Sequence, residues 1–503
     1  MIGFDIRRTT IVVLFAAPLS AQQPSPYLPL DHWVMPWVEH LIATGAIEDP
    51  NPLTRPLRRD AVRQAVAAID TVMAGPGVRR IVRTLLRALP EGTRDPGYGV
   101  EVSLGGTAGT DARREPLRPA GDGHVSPTGS IWLEGRFGPV VLVSHSYFER
   151  RLRFDPDYTG TISKENRIPG RFADAYASVE AHPVEVTAGR LSREWGPIGH
   201  RGLFVSSESY SYDHLFLRLG GHGARIEMLY TRLDDALSAD SVVLRRYWAA
   251  TRAVFRPWTG VTASIVQGVL WRGAGEAFNL AWVNPLQLAP FTREDEPLPD
   301  SANVMVGGQF EVRLPRGQTV AGELLIDDIS TQPDRVAPAR LGGTLSVGTP
   351  VAGSAHVTAS YTFVSSLAYR THQGPDFAIL RNGIGLARNF DDYDLATLRV
   401  SALAPAVAGV VHGEVALLRQ GEGDIRTPFT LSSDAPFLHI GVVARTLRLA
   451  VGADAHLGFG FQIAGSAGLH LVRNAAHVTG ADASRFVGRT RVAWRYHQRL
   501  NMR

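Results

Sequence analysis

Cysteine is absent from the 503 residues, which excludes a disulfide framework and any thiolate metal site. Lysine is almost absent as well: of 52 basic residues only Lys164 is a lysine. Charge is sparse, at 20% of the chain, a little low for a soluble surface. The net charge is only +4 and no run of basic residues is longer than two, so the basic stripe that nucleic-acid binding needs is missing. No HExxH pair, GxSxG elbow or Walker-type loop occurs. Catalysis, a metal or a cofactor therefore has no specific motif behind it. Nowhere does the chain offer 18 consecutive apolar residues, which excludes a transmembrane helix.

What is present begins with an export signal. Arg7 and Arg8 precede an apolar core from Thr9 to Ala17, and Leu19-Ser20-Ala21 reads as a cleavage site before Gln22. Residues 22–95 then have helical spacing. Asp31 is expected to cap HWVMPWVEHLIATG, which Gly45 ends. Two more helices are expected over Arg58–Met73 and Val78–Leu89, with Arg59, Arg63, Arg79, Arg80, Arg83 and Arg87 on their exposed faces.

From residue 96 to 503 the hydrophobic period is two. The longest run, LRLAVGADAHLGFGFQ over Leu447–Gln462, alternates Leu449, Val451 and Leu457 with Arg448, Asp454 and His456. As one strand it would reach about 50 Å. Phe486–His497 sets Phe486, Val492, Trp494 and Tyr496 against Arg489, Arg491, Arg495 and His497. Shorter alternating runs include Tyr98–Leu104, Val184–Leu191 and His356–Val364. About 400 residues at roughly 22–25 per strand and connection make about 16–18 strands, within the range of outer-membrane barrels. The expected fold is mainly β, a transmembrane antiparallel barrel with a small N-terminal helical segment. An apolar face against lipid and a polar face against a wet lumen account for the alternation.

Two clusters are candidate sites. In GRLSREWGPIGHRGLFVSSESYSY, Arg190, Arg193, Trp195, His200, Arg201 and Tyr210 gather around a Gly-Pro turn. A tryptophan ring stacks on a sugar face and guanidiniums grip uronate carboxylates, so this segment is the expected polysaccharide contact. Glu311, Arg313, Glu323 and Asp327 fall at period-two positions and are expected to face the lumen as a charge network. A carboxylate pair there would suit glycoside hydrolysis, whereas lumen charges more commonly fill a barrel with ion pairs. The acidic Glu294-Asp295-Glu296 loop lacks calcium-loop spacing.

The order of these parts, with AGRLSREWGPIGHRGLFVSS, AWVNPLQLAP, GELLIDDI and RNGIGLARNFDDYDL, resembles the capsule assembly Wzi family of Gram-negative outer-membrane proteins. The resemblance implies a plugged outer-membrane barrel that captures capsular or exopolysaccharide in the manner of a lectin, without catalysis or cofactor. It also implies outer-membrane lipid and the barrel assembly machinery as partners. Separately, the helical segment resembles a single S-layer homology motif, which would imply contact with cell-wall polymer. The alternative from another class is an anion-preferring porin or solute channel, its lumen lined by arginines. A third is an outer-membrane enzyme acting on glycan or lipid.

Overall fold

The computed structural model describes residues 24–501 apart from 73–74, 90–95, 164, 166, 239, 276–278, 290–301, 329–338, 352–353, 372–373, 405–407 and 430–434. The export signal expected over 1–21 and the Glu294–Glu296 loop lie outside the described residues. Eighteen strands make the wall. They are β1 (Gly97–Gly109), β2 (His124–Phe137), β3 (Val140–Glu149), β4 (Gly170–Ala181), β5 (Val184–Leu191), β6 (Tyr212–Gly220), β7 (Ala224–Arg232), β8 (Val243–Trp258) and β9 (Val261–Gly273). The second half comprises β10 (Ala302–Arg313), β11 (Thr319–Asp328), β12 (Arg340–Val351), β13 (Ala355–Val364), β14 (Tyr393–Ala404), β15 (Gly409–Gln420), β16 (Ala444–Gly458), β17 (Phe461–Arg473) and β18 (Ala483–Asn501). Each pairs antiparallel with its neighbours in sequence, and β1 pairs with β18 from Gly97↔Asn501 to Gly109↔Arg489. The ring is closed, so among the described residues the wall has no unpaired edge strand.

The alternation decides which side chains meet lipid. Leu449, Val451 and Leu457 of β16, and Phe486, Val492 and Tyr496 of β18, are exposed on the outside of the wall. Arg448 and Gln462 are buried on the inside. An outer surface this apolar on a closed barrel belongs in hydrocarbon. One expected strand is corrected: Leu447–Gln462 is the hairpin of β16 and β17. Phe459 and Gly460 take φ of 49° and 83°, a left-handed pair that suits a tight hairpin turn. Gly-Phe-Gly-Phe carries the period of two straight across that turn, which hides it from a periodicity count.

The two ends of the barrel differ. At one end the strands join by tight turns, as at 138–139, 182–183 and 459–460, and Gly97 and Asn501 both lie there. At the other end run long connections such as 110–123, 150–169, 192–211 and 365–392. Short turns face the periplasm and long loops the exterior in barrels of this kind.

The N-terminal segment packs into the short-turn end. Helix α1 (Met35–Ala43) buries Trp37, Val38, Leu41 and Ile42, each contributing about 1.5–3 kcal/mol of apolar burial. Gly45, at φ 73°, follows its C-cap Thr44. Asp31 does not cap it: the helix begins at Met35, and Asp31 lines a small lumenal recess with Arg491 and Arg495. Helices α2 (Arg59–Ala67) and α3 (Pro76–Ala88) complete an apolar cluster shared with Leu403, Ala408 and Val410 near the β14–β15 turn. Arg63 donates to the carbonyls of Leu86 and Leu89 at 3.0 and 2.8 Å, satisfying acceptors that the end of α3 leaves open.

Arg59 is a second correction. It is buried and grips Glu134 of β2 with two bonds of 2.7 and 2.8 Å, because helix α2 lies against the barrel wall. Arg58 pairs with Glu185 of β5, and Arg55 reaches Glu39 and Asp49. Among the described residues no helix is long and apolar enough to cross a membrane.

Candidate functional site

The connection 192–211 leaves β5 at the outer end and folds down into the lumen. Glu194 and Trp195 pair antiparallel with Thr54 and Arg55 of the N-terminal segment, so chain from both ends of the barrel meets inside it. Glu194 then holds the loop together, accepting from the backbone of Gly202 at 2.5 Å and Ser207 at 3.1 Å and from Arg201. Leu203, Phe204 and Val205 are buried in an apolar cluster with Phe216, Trp248 and Tyr369.

The connection 365–392 closes over this loop. Tyr369 Oη donates to the Leu203 carbonyl at 2.6 Å, and Arg388 donates to the Arg201 carbonyl at 2.6 Å. Asn389 bonds Asp157 at 3.1 Å, and Arg246 of β8 holds the Asp376 carbonyl at 2.7 Å. Phe377, Ile379, Leu386 and Phe390 join the same apolar cluster. Two loops distant in sequence therefore pack together inside the long-loop end.

The six residues expected to contact polysaccharide are dispersed by this folding. Trp195 is fully covered, with the Arg252 guanidinium 4.3 Å from its ring centre. It was expected on an outward surface; the loop turns inward because its partner strand, Thr54–Arg55, is in the lumen. Arg193 is buried too, 3.7 Å over Phe216 and bonded to His214 at 3.0 Å. His200 lies 3.2 Å from Ser346 of β12. Arg190 pairs with the exposed Asp213 at 2.8 Å, and Arg201 is exposed beside Glu194.

Tyr210 lies at the outer end in company that sequence reasoning missed. Arg114 and Arg171 stand 3.9 and 4.8 Å from its ring centre, and Tyr158 meets it edge-on at 5.2 Å. Arg118 covers Phe390 nearby at 3.5 Å. Burial pushes the Tyr210 phenol up to about 12, so it stays a donor, bonding Asp155. These partners come from the connections 110–123 and 150–169 and from the start of β4, and no local pattern marks them.

Glu311, Arg313, Glu323 and Asp327, expected as one charge network, are each tied to a different part of the filling. Arg313 meets Glu311 at 3.4 Å and donates to the Ile42 carbonyl of α1 at 2.6 Å. Glu323 accepts from Gln309 at 2.8 Å and from the Leu203 amide at 2.9 Å. Asp327 accepts the Tyr369 amide at 2.9 Å. Charged groups of the wall thus anchor the N-terminal segment and both inward loops. Among the described residues no cluster of three or more histidine, aspartate or glutamate side chains is arranged to hold a metal ion.

A closed antiparallel barrel of 18 strands with an apolar outer belt defines the class: this is the fold of outer-membrane β-barrels. No family model matches the chain, and no curated protein matches its sequence. Among solved structures it is similar to Wzi of Escherichia coli, described as an outer-membrane protein involved in group 1 capsule assembly and a carbohydrate-binding β-barrel. That match covers 92% of this chain and 98% of the other, at 12% identity and a TM-score of 0.63. OprD of Pseudomonas aeruginosa matches over 80% of this chain and 96% of its own, at 10% identity and a TM-score of 0.43. At such identities the likeness to Wzi establishes the fold.

Proposed function

We propose that this barrel is a non-catalytic, lectin-like outer-membrane protein that binds and retains capsular or exopolysaccharide at the cell surface. The observation that carries this reading is the filling of the lumen from both ends: helices and Thr54–Arg55 from the short-turn end, loops 192–211 and 365–392 from the other. A filled barrel is suited to present a surface, and a conducting one needs a continuous wet path. The outer end offers the chemistry of sugar recognition in Tyr210, Tyr158, Arg114, Arg171 and Arg201. Aromatic faces and guanidiniums in that arrangement suit a polymer bearing carboxylates, with many weak contacts summed along the chain. A fold shared with a carbohydrate-binding barrel agrees with this reading.

The test uses one preparation of folded protein. Binding to surface polysaccharide purified from the host is measured beside conductance in planar bilayers. Binding without conductance supports the reading; conductance without binding sinks it and leaves an anion-preferring porin.

A further inference from the structure

Helix α3 places Arg80, Arg83, Thr84 and Arg87 at spacings of three and four, which aligns them on one face. The opposite face is the one buried through Ile81, Val82 and Leu85. The arginine face borders a cleft of about 540 Å³ at the short-turn end. Its other walls are the β16–β17 turn, Leu457 to Gly460, and Arg495 and His497 near the end of β18. Glu101 is the one acid lining the cleft among the described residues, and Arg495 occupies it at 2.7 Å. Among the described residues its lining is therefore net positive, with the Arg83 and Arg87 guanidiniums on the α3 side.

Its rim is apolar. Phe459 is 97% exposed at the tip of the turn, held outward by a left-handed backbone at Phe459 and Gly460. On either side Leu457 and Phe461 are exposed on the lipid-facing side of β16 and β17, so the ring continues the lipid belt down to the mouth of the cleft. A bare aromatic ring is unfavourable in water and favourable at the membrane interface. Guanidiniums bind phosphate oxygens in pairs and stay charged at every physiological pH.

We infer that this cleft holds the phosphate headgroup of an anionic phospholipid of the periplasmic leaflet, with the acyl chains lying against Leu457, Phe459 and Phe461. The cationic helix face and the apolar turn meet the two halves of such a molecule, and a soluble anion would have no use for the second. The inference rests on the orientation of the barrel and is independent of polysaccharide binding at the other end.

The test titrates delipidated, full-length protein in detergent with phosphatidylglycerol or with phosphatidylethanolamine and counts bound lipid by native mass spectrometry. Phosphatidylglycerol should bind about tenfold more tightly. The combined variant Arg80→Gln, Arg83→Gln, Arg87→Gln should lose that preference. Arg79→Gln, exposed on the same helix outside the cleft, should keep it. Phe459→Ser should weaken both lipids by a similar factor. Should the triple variant fail to fold, Thr84→Glu sets a negative charge among the three guanidiniums and should by itself weaken the preference severalfold. Equal binding of the two lipids, or a folded triple variant that keeps the preference, overturns the inference. So does displacement of phosphatidylglycerol by an acidic oligosaccharide, which would make this a glycan site.

Discussion

The two ends of the barrel are filled by different parts of the chain, held with different weights of charge and packing. At the short-turn end the N-terminal segment is fastened to the wall by buried ion pairs, Arg59 to Glu134 and Arg58 to Glu185, and by Arg313 donating to the Ile42 carbonyl, around a helical apolar cluster. At the long-loop end aromatic and aliphatic packing and side chains that satisfy loop carbonyls, as Tyr369 and Arg388 do, stand beside buried ion pairs such as Arg151 to Asp155 and Arg388 to Glu208, so packing has the larger share there. Ion pairs in a dry interior are strong in position and costly when halved, because the remaining charge has nowhere to go. Carbonyl bonds cost less to lose and suit loops that must present a surface.

The largest effect that would test this contrast is expected from breaking one ion pair from one side. Arg59→Ala leaves Glu134 buried and should cost about 3–5 kcal/mol, read as a lower urea midpoint in detergent and faster proteolysis of the helical segment. If the midpoint stays put, that ion pair does not hold the plug. Trp195→Ala removes a covered ring from the meeting point of the two fillings and should cost about 3–5 kcal/mol. Loss of polysaccharide retention by this variant without loss of stability would contradict the covered position and return the residue to a direct sugar contact.

A smaller cost, about 1–3 kcal/mol, is expected for Tyr369→Phe, which leaves the buried Leu203 carbonyl without its donor. It should increase hydrogen exchange in 192–211 and 365–392 and leave the helices untouched; a uniform change over both ends would erase the contrast drawn here. Tyr210→Ala with Arg114→Ala should weaken polysaccharide binding by about 3–10-fold and, because it also removes the contacts of both side chains with Asp155 and the Glu208 carbonyl, lower the urea midpoint. Unchanged binding would move the contact surface elsewhere on the outer end.

The smallest effect concerns pH. Burial raises the Glu115 carboxyl, with Arg118 opposing at 3.4 Å and Glu208 adding to the rise. A carboxyl raised in the folded state favours folding at acid pH, and that advantage fades as pH climbs from the ordinary carboxylate range through the raised value. The loop 110–123 should therefore resist protease slightly better at pH 4 than at pH 7. Glu115→Gln should flatten the difference.

How much was legible beforehand varies with distance along the chain. Val184–Leu191 is a strand with the very limits its alternation indicates, and β18 sets Phe486, Val492 and Tyr496 against Arg489, Arg491 and Arg495 as expected. The β16–β17 hairpin escaped because a turn with period-matched residues looks like more strand. Arg59 looked like a solvent residue because helical spacing gives a face and says nothing of what that face meets. Trp195 was legible as a residue placed for a purpose and illegible as to which, since its cover, Thr54 and Arg252, comes from 141 residues before it and 57 after.

The sequence by itself determined that this chain makes a barrel wall. Alternation is local chemistry, and a closed ring is the way such strands satisfy their backbones in lipid. Only the tertiary structure decided what fills the ring. Whether a long loop rises outward or folds into the lumen depends on partners brought together by closure: Thr54 for Trp195, Leu203 for Glu323 and Tyr369, Arg114 for Tyr210. Their separation in the chain leaves no period to read, and their free energy exists only once the wall has shut around them.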